Sequence, residues 1–200
     1  MWPPWGTTLS TRLPVISESF LWWSLAAVLL FWSVGAYNRL VRLRSIALHS
    51  FAALATPMQR YTEIVQSCHV ATANPAETAP QAPAQAWAGL HGAQAQFSAS
   101  LSVARTRPLD GAAINALAAA DTVLQMAWLR ITSDSDDACA LLLTEATQTQ
   151  WHETRQQVRH AAQSFAHAVR NYNAAIAQFP ALLLAWLFGL GTATPFPTDF

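Results

Sequence analysis

The sequence predicts an all-α protein in which an N-terminal transmembrane helix is followed by an antiparallel four-helix bundle. Three observations lead there. An uncharged apolar run lies near the N-terminus, and beyond it apolar positions recur every three to four residues over long stretches. Alanine is abundant and glycine sparse, and most of the eleven prolines gather at the two termini and around residues 75 to 83, as expected of long helices separated by a few loops.

Composition narrows the class. Two hundred residues with a formal net charge of zero and 11% charged side chains suit one domain plus an anchor. Lysine is absent and the eleven arginines are spread along the chain without a dense basic face, so no nucleic-acid partner is expected. Cys68 and Cys139 stand far apart outside any CxxC pattern and read as two inert buried thiols, not a disulfide framework or a zinc ribbon.

The elements follow in order. Residues 1 to 19 form a short N-terminal segment. Twenty residues without formal charge separate Glu18 from Arg39, and the part from Phe20 to Tyr37 would span about 27 Å as a helix, close to the roughly 30 Å hydrocarbon core. Trp22, Trp23, Trp32 and Tyr37 lie near its ends, where amphipathic rings prefer the membrane interface. Neither flank supplies the basic leader and small-residue cleavage site of a signal peptide. Arg39, Arg42 and Arg44 follow the span and Arg12 alone precedes it, so the expected topology has the N-terminus outside and the large domain in the cytoplasm.

Past Tyr37 the apolar positions become one-sided: Leu40, Leu43, Ala47, Ser50, Leu54, Tyr61, Val65 and Cys68 make one stripe, so the span runs straight into the first bundle helix. Pro57 predicts a kink or break near Thr56. The polar, proline-rich residues 74 to 85 read as a connection. The second helix is expected from about Ala84 to Arg105 on the stripe Trp87, Leu90, Gln94, Phe97, Leu101 and Ala104, with Pro108 stopping it. Asp110 is placed to cap the third helix, whose stripe is Ile114, Leu117, Asp121, Leu124, Trp128 and Ile131. The acidic residues 133 to 137 make the next turn. From about Asp137 the fourth helix carries Val158, Phe165, Tyr172 and Phe179 at heptad spacing, with Ala161, Ala168 and Ala175 between them. Four such helices, none able to bury its stripe alone, form a bundle over residues 38 to 180.

Two stretches carry a family resemblance: GAYNRLVRLRS, residues 35 to 45, and FAHAVRNYNAAIAQFP, residues 165 to 180, followed by FG at 188 and 189 and PF at 195 and 196. In order and spacing the chain resembles the LemA family, whose pattern has a YN-x-LV-x-LR run after one membrane helix and a YN-x-AV-x-x-YN-x-x-I-x-x-FP run near the C-terminus. It departs from that pattern at Ala55, at QSCH over residues 66 to 69, and at Phe165 with Ala166. The resemblance implies a single-pass membrane protein with a helical bundle and brings no catalytic residues with it.

Other motifs weaken on inspection. Residues 133 to 145 put Asp134, Asp136 and Glu145 at three EF-hand positions, but Ala138 and Cys139 replace a ligand and the turn glycine. His152, His160 and His167 share one face of the last helix but stand about 10 to 12 Å apart along it, too far for one zinc ion without help from other helices. Asp121 on an apolar stripe reads as a residue at the stripe's edge or hydrogen-bonded across the bundle. Tyr172, Asn173, Phe179 and Pro180 read as structural, with tyrosine in the seam, asparagine on backbone or a neighbour, and proline ending the helix. The last segment, residues 181 to 200, begins with an apolar run of ten that is too short to span; it either lies in the bilayer interface or covers the open end of the bundle. No catalytic, cofactor or metal residue is assigned. The expected role is a non-enzymatic protein-interaction or scaffolding module in the inner membrane, with lipid bilayer and an unidentified protein as partners and no small-molecule substrate. A membrane-linked sensor is the alternative, and a metal-binding or enzymatic bundle a third.

Overall fold

A computed structural model of the chain describes residues 18–72, 81–133, 144–179 and 181–198. They form five helices: α1 (Glu18–Thr72), α2 (Gln81–Thr106), α3 (Gly111–Ser133), α4 (Glu145–Ile176) and the short α5 (Ala181–Leu187). Among the described residues there is no strand.

Side-chain pairs fix the topology. Arg39 meets Gln178, Phe51 packs on Phe165, Arg60 meets Gln157 and Tyr61 packs on Trp151, so α4 runs antiparallel to α1. Arg105 reaches the Ala55 carbonyl and the Gln59 side chain while Phe97 meets Tyr61, which makes α2 antiparallel to α1 as well. The return of α3 after a tight turn brings Trp128 onto Trp151 near the start of α4. The result is the expected up-down-up-down bundle.

The stripes read from sequence are the core. Leu40, Ala47, Leu54, Tyr61, Val65 and Cys68 are buried on α1, as are Trp87, Leu90, Phe97, Leu101 and Ala104 on α2 and Ile114, Leu117, Asp121, Leu124, Trp128 and Ile131 on α3. Each of the four long helices contributes one ring to an aromatic chain through the bundle centre. Phe97 lies edge-on to Tyr61 at 6.1 Å, Tyr61 is tilted on Trp151 at 4.6 Å, and Trp151 stacks on Trp128 at 4.0 Å and 7°. Such rings are large apolar surfaces with preferred mutual geometries, so they set helix register as well as adding burial. Asp110 caps α3 as its position suggested, its Oδ1 accepting the Ala112 N–H at 3.0 Å.

Four expectations change. Pro57 does not break α1, which is continuous over 55 residues. The carbonyl deprived of its N–H partner belongs to Ala53, an exposed residue that water can satisfy, while buried Leu54, Ala55, Met58 and Tyr61 hold both flanks to the bundle. The fourth helix starts at Glu145, not near Asp137, because Thr144 has extended backbone (φ −61°, ψ 142°) and is the N-cap; residues 134–143, with Cys139 and the acidic turn, lie outside the described set. Phe179 leaves the seam, since α4 ends at Ile176 and the ring is 65% exposed. The C-terminal segment is also more than an apolar tail, as it contains α5 and a tucked irregular stretch.

That stretch fills a gap. The α2–α3 turn reaches only the level of Leu48 to Ala55, with Pro108 against these residues, whereas α1 and α4 remain paired down to Arg39 and Gln178. The Tyr172 hydroxyl donates to the Gly191 carbonyl at 3.2 Å, and Asn173 clasps Ala193 through both its amide groups at 2.8 and 2.9 Å. Ala193 and Phe196 are thereby buried. A Cβ on Gly111 would come within 2.5 Å of Thr194 Oγ1, so a side chain here requires the Thr194 hydroxyl to move aside while the tail is seated. Gly189, at φ +64°, ends α5 in the left-handed conformation that favours glycine, and Leu190 N–H returns to the Ala185 carbonyl.

Candidate functional site: an exposed apolar end and a buried polar cluster

The two ends of the molecule differ in what they expose. In α1 every side chain from Phe20 to Phe31 is exposed, including Trp22, Trp23 and Phe31, whereas from Leu40 onward burial recurs with helical period. Two helices among the described residues are long and apolar enough to cross a membrane, α1 and α3. None of the α1 window is buried, while 44% of the α3 window is, which marks α3 as a core helix of the bundle.

Alongside the apolar part of α1 the chain reverses. Phe179, just past α4, lies edge-on to Trp32 at 5.7 Å, and Phe188, just past α5, is tilted on Tyr37 at 5.0 Å. Ala181 and Ala185 are buried, whereas Leu182, Leu183, Trp186, Leu187 and Phe188 point outward at 53% exposure or more. The α4–α5 reversal is thus an apolar wedge level with the end of the apolar run, followed by Arg39, Arg42 and Arg44. Between wedge and α1 lies a groove of about 1020 Å³, lined by Val28, Phe31, Trp32, Gly35, Ala36 and Arg39 on one wall and Ala175, Gln178 and Phe179 on the other.

No family model, curated protein or solved structure matches this chain. The site has to be read from its own residues.

At the centre of the bundle sits the second unusual feature. Asp121 and Gln125 on α3 are buried beside Tyr61 of α1 and the Arg155 and Arg159 side chains of α4. Burial pushes the Asp121 carboxyl from 3.8 up to about 6, with Gln125 and Arg155 pulling the other way. Burial, and then the Asp121 charge, raise Tyr61 well above the usual phenol range. Gln125 approaches both groups, yet the Tyr61 hydroxyl and Asp121 Oδ1 have no hydrogen-bond partner. Such a cluster can bind and release a proton near neutral pH. Three grooves on the described surface are each lined by other residues than Tyr61, Asp121, Gln125, Arg155 and Arg159.

The remaining sequence candidates separate. His152, His160 and His167 are all exposed, and among the described residues no group of histidine, cysteine, aspartate and glutamate could hold a metal ion. Cys68 is buried, which raises its thiol above the ordinary value and makes it a poor nucleophile. Tyr172 fills the seam and Asn173 bonds backbone, which gives the late YN pair a structural task. The apolar run from 181 to 190 was expected at the end of the bundle where α1 begins, whereas the partners of Asp121 were not visible in the sequence, because they depend on which segments the topology brings together.

Proposed function

We propose that this protein is a single-pass, membrane-anchored helical bundle of the LemA type that acts without catalysis, as a docking or scaffolding module for another protein. The observation that carries the reading is the change of environment along α1: a fully exposed apolar turn set, then arginines, then a buried stripe, all in one uninterrupted helix. In this reading residues 20 to 37 cross the inner membrane, the N-terminus is outside, and the bundle stands in the cytoplasm with the α4–α5 wedge in the interface.

The docking surface is the outer face of α2 and α3. Arg105 on α2 and Arg130 on α3 are the only exposed formally charged side chains of those two helices, which also expose Val103, Val123, Met126 and Leu129. Solvated faces of small domains normally carry far more charge, so this one suits an apolar partner.

Two measurements test the reading. Reporter fusions at Pro83 and Phe200 should both give cytoplasmic signal, and periplasmic signal at both would reverse the topology. Chemical crosslinking in intact membranes should capture a partner through the α2–α3 face. Val123→Glu with Met126→Glu should abolish that product while leaving the bundle folded; an unchanged crosslink pattern would reject the docking face. The continuity of α1 through Pro57 favours a second reading, a sensor that relays movement across the bilayer. Replacing residues 1 to 16 should then alter the phenotype, and an unaltered phenotype removes it.

A further inference from the structure

The groove beside the wedge is built from two kinds of wall. Along α1 it runs from Ala27 to Leu40 past Gly35 and Ala36, which leave the helix surface low, and Phe31 and Trp32 rise beside them. Opposite stand Ala175, Phe179 and Ala181. Gly35 is open enough that a Cβ there would meet nothing within 4 Å. From Val28 to Arg39 the groove is about 16 Å long at 1.5 Å per residue, close to half of the roughly 30 Å hydrocarbon thickness. Its length is that of one leaflet.

Its polar end is equally specific. Arg39 and Gln178 close the mouth through a long 3.4 Å hydrogen bond, and the Arg39 guanidinium is exposed. Charge in this half of the bundle is one-sided. Taking the residues that pair with the stretch of α1 from Arg39 to Ala55, there are Arg39, Arg42, Arg44, Arg105, Arg107 and Arg170, against Asp110 alone among the described acids. A guanidinium forks onto phosphate with two parallel donors, and such a partner would be stronger than the neutral amide it now meets.

We propose that this groove is a binding site for one anionic phospholipid, with an acyl chain lying along Gly35 and Ala36 beside the Trp32–Phe179 ring pair, and the phosphate held by Arg39. The proposal rests on the membrane-anchor reading and goes beyond it, because it assigns a chemically selective site where an anchor alone requires only bulk lipid. Snorkelling places the Arg39 head at the phosphate level while its stem covers the groove mouth. The wedge forms the other wall, so the site exists only when the C-terminal segment is seated on α1 and α4.

The test uses the full chain in mild detergent, titrated with phosphatidylglycerol or phosphatidylcholine and examined by native mass spectrometry, beside flotation on vesicles of pure phosphatidylcholine. One phosphatidylglycerol should be retained in preference to phosphatidylcholine. Arg39→Gln should reduce that preference about fivefold, the effect of one interfacial arginine, and Arg42→Gln, which lies outside the groove, clearly less. Gly35→Leu should displace either lipid without changing the thermal melt, because its side chain fills open space. Equal retention of the two lipids, or equal effects of Arg39→Gln and Arg42→Gln, overturns the selective site but leaves the anchor standing. A second copy of the chain held by Trp32 and Phe179, seen as a dimer that excludes lipid, also overturns it. Failure to float on any vesicle removes both readings together.

Discussion

The two halves of α1 have the same backbone and opposite side-chain logic. From Phe20 to Val34 large apolar residues point in every direction and are exposed, Phe31 to 84%. From Leu40 to Cys68 they are buried on one side and interrupted by Arg42, Arg44, His49, Arg60 and Glu63 on the other. A helix that is apolar all round needs an apolar solvent, whereas one with a stripe needs partner helices. Helix continuity does not imply a continuous environment: the boundary is set by side chains between Tyr37 and Leu40 while the hydrogen-bond ladder passes through undisturbed.

The largest effect that would separate the halves is Trp151→Ala. It removes the ring stacked on Trp128 and tilted on Tyr61 and should cost about 3–5 kcal/mol of bundle stability, seen as a lowered denaturant midpoint, with membrane association retained. The converse change is Leu29→Arg, in the middle of the apolar run. A charge at that depth costs roughly 2.5–3.5 kcal/mol on insertion scales, so the variant should lose membrane association in fractionation while the bundle melts normally.

Asp121→Asn sharpens the comparison from inside the bundle. The folded state holds the Asp121 proton more tightly than the unfolded chain does, so the associated stability is complete below about 3.8, falls as pH rises, and is lost above about 6. The loss amounts to roughly 3 kcal/mol at full ionisation. The asparagine variant should therefore gain stability over wild type at pH 7.5 and show little difference at pH 4, in paired urea titrations. Equal differences at both pH values would show that Asp121 does not titrate in this window. The smallest expected effect is Asn173→Ala, which breaks the double clasp on Ala193 and should cost about 1–2 kcal/mol while making the segment after Leu190 accessible to protease.

Periodicity exposed most of the fold. Every apolar position placed on the α3 stripe is buried, and the Asp110 cap was readable from a single residue before an alanine-rich run. What escaped has physical causes. The end of α4 three residues before Phe179 was hidden because the heptad spacing continues in sequence past the point where the backbone leaves the helix. Residues 190 to 198 have no period, since they are held by the side chains of Tyr172 and Asn173 and not by a ladder of their own. Asp121 could be noticed on its stripe, but Arg155 and Arg159 become its neighbours only through the packing of α4. The groove beside α5 was beyond reach for the same reason, as its walls are some 140 positions apart in the chain, with Arg39 and Gln178 separated by 139.

The uninterrupted course of α1 also fixes a distance. From Asn38 to Thr72 the helix rises about 50 Å, with no break at Pro57 to let the bundle fold down or swing away. With the apolar run seated in a bilayer, the level of Tyr61, where the Trp128 and Trp151 rings stack, is held at a set height above the lipid surface. On the anchored reading proposed above, a molecule docked on α2 or α3 would be met within a layer of that thickness, and α1 would be a ruler as much as a tether.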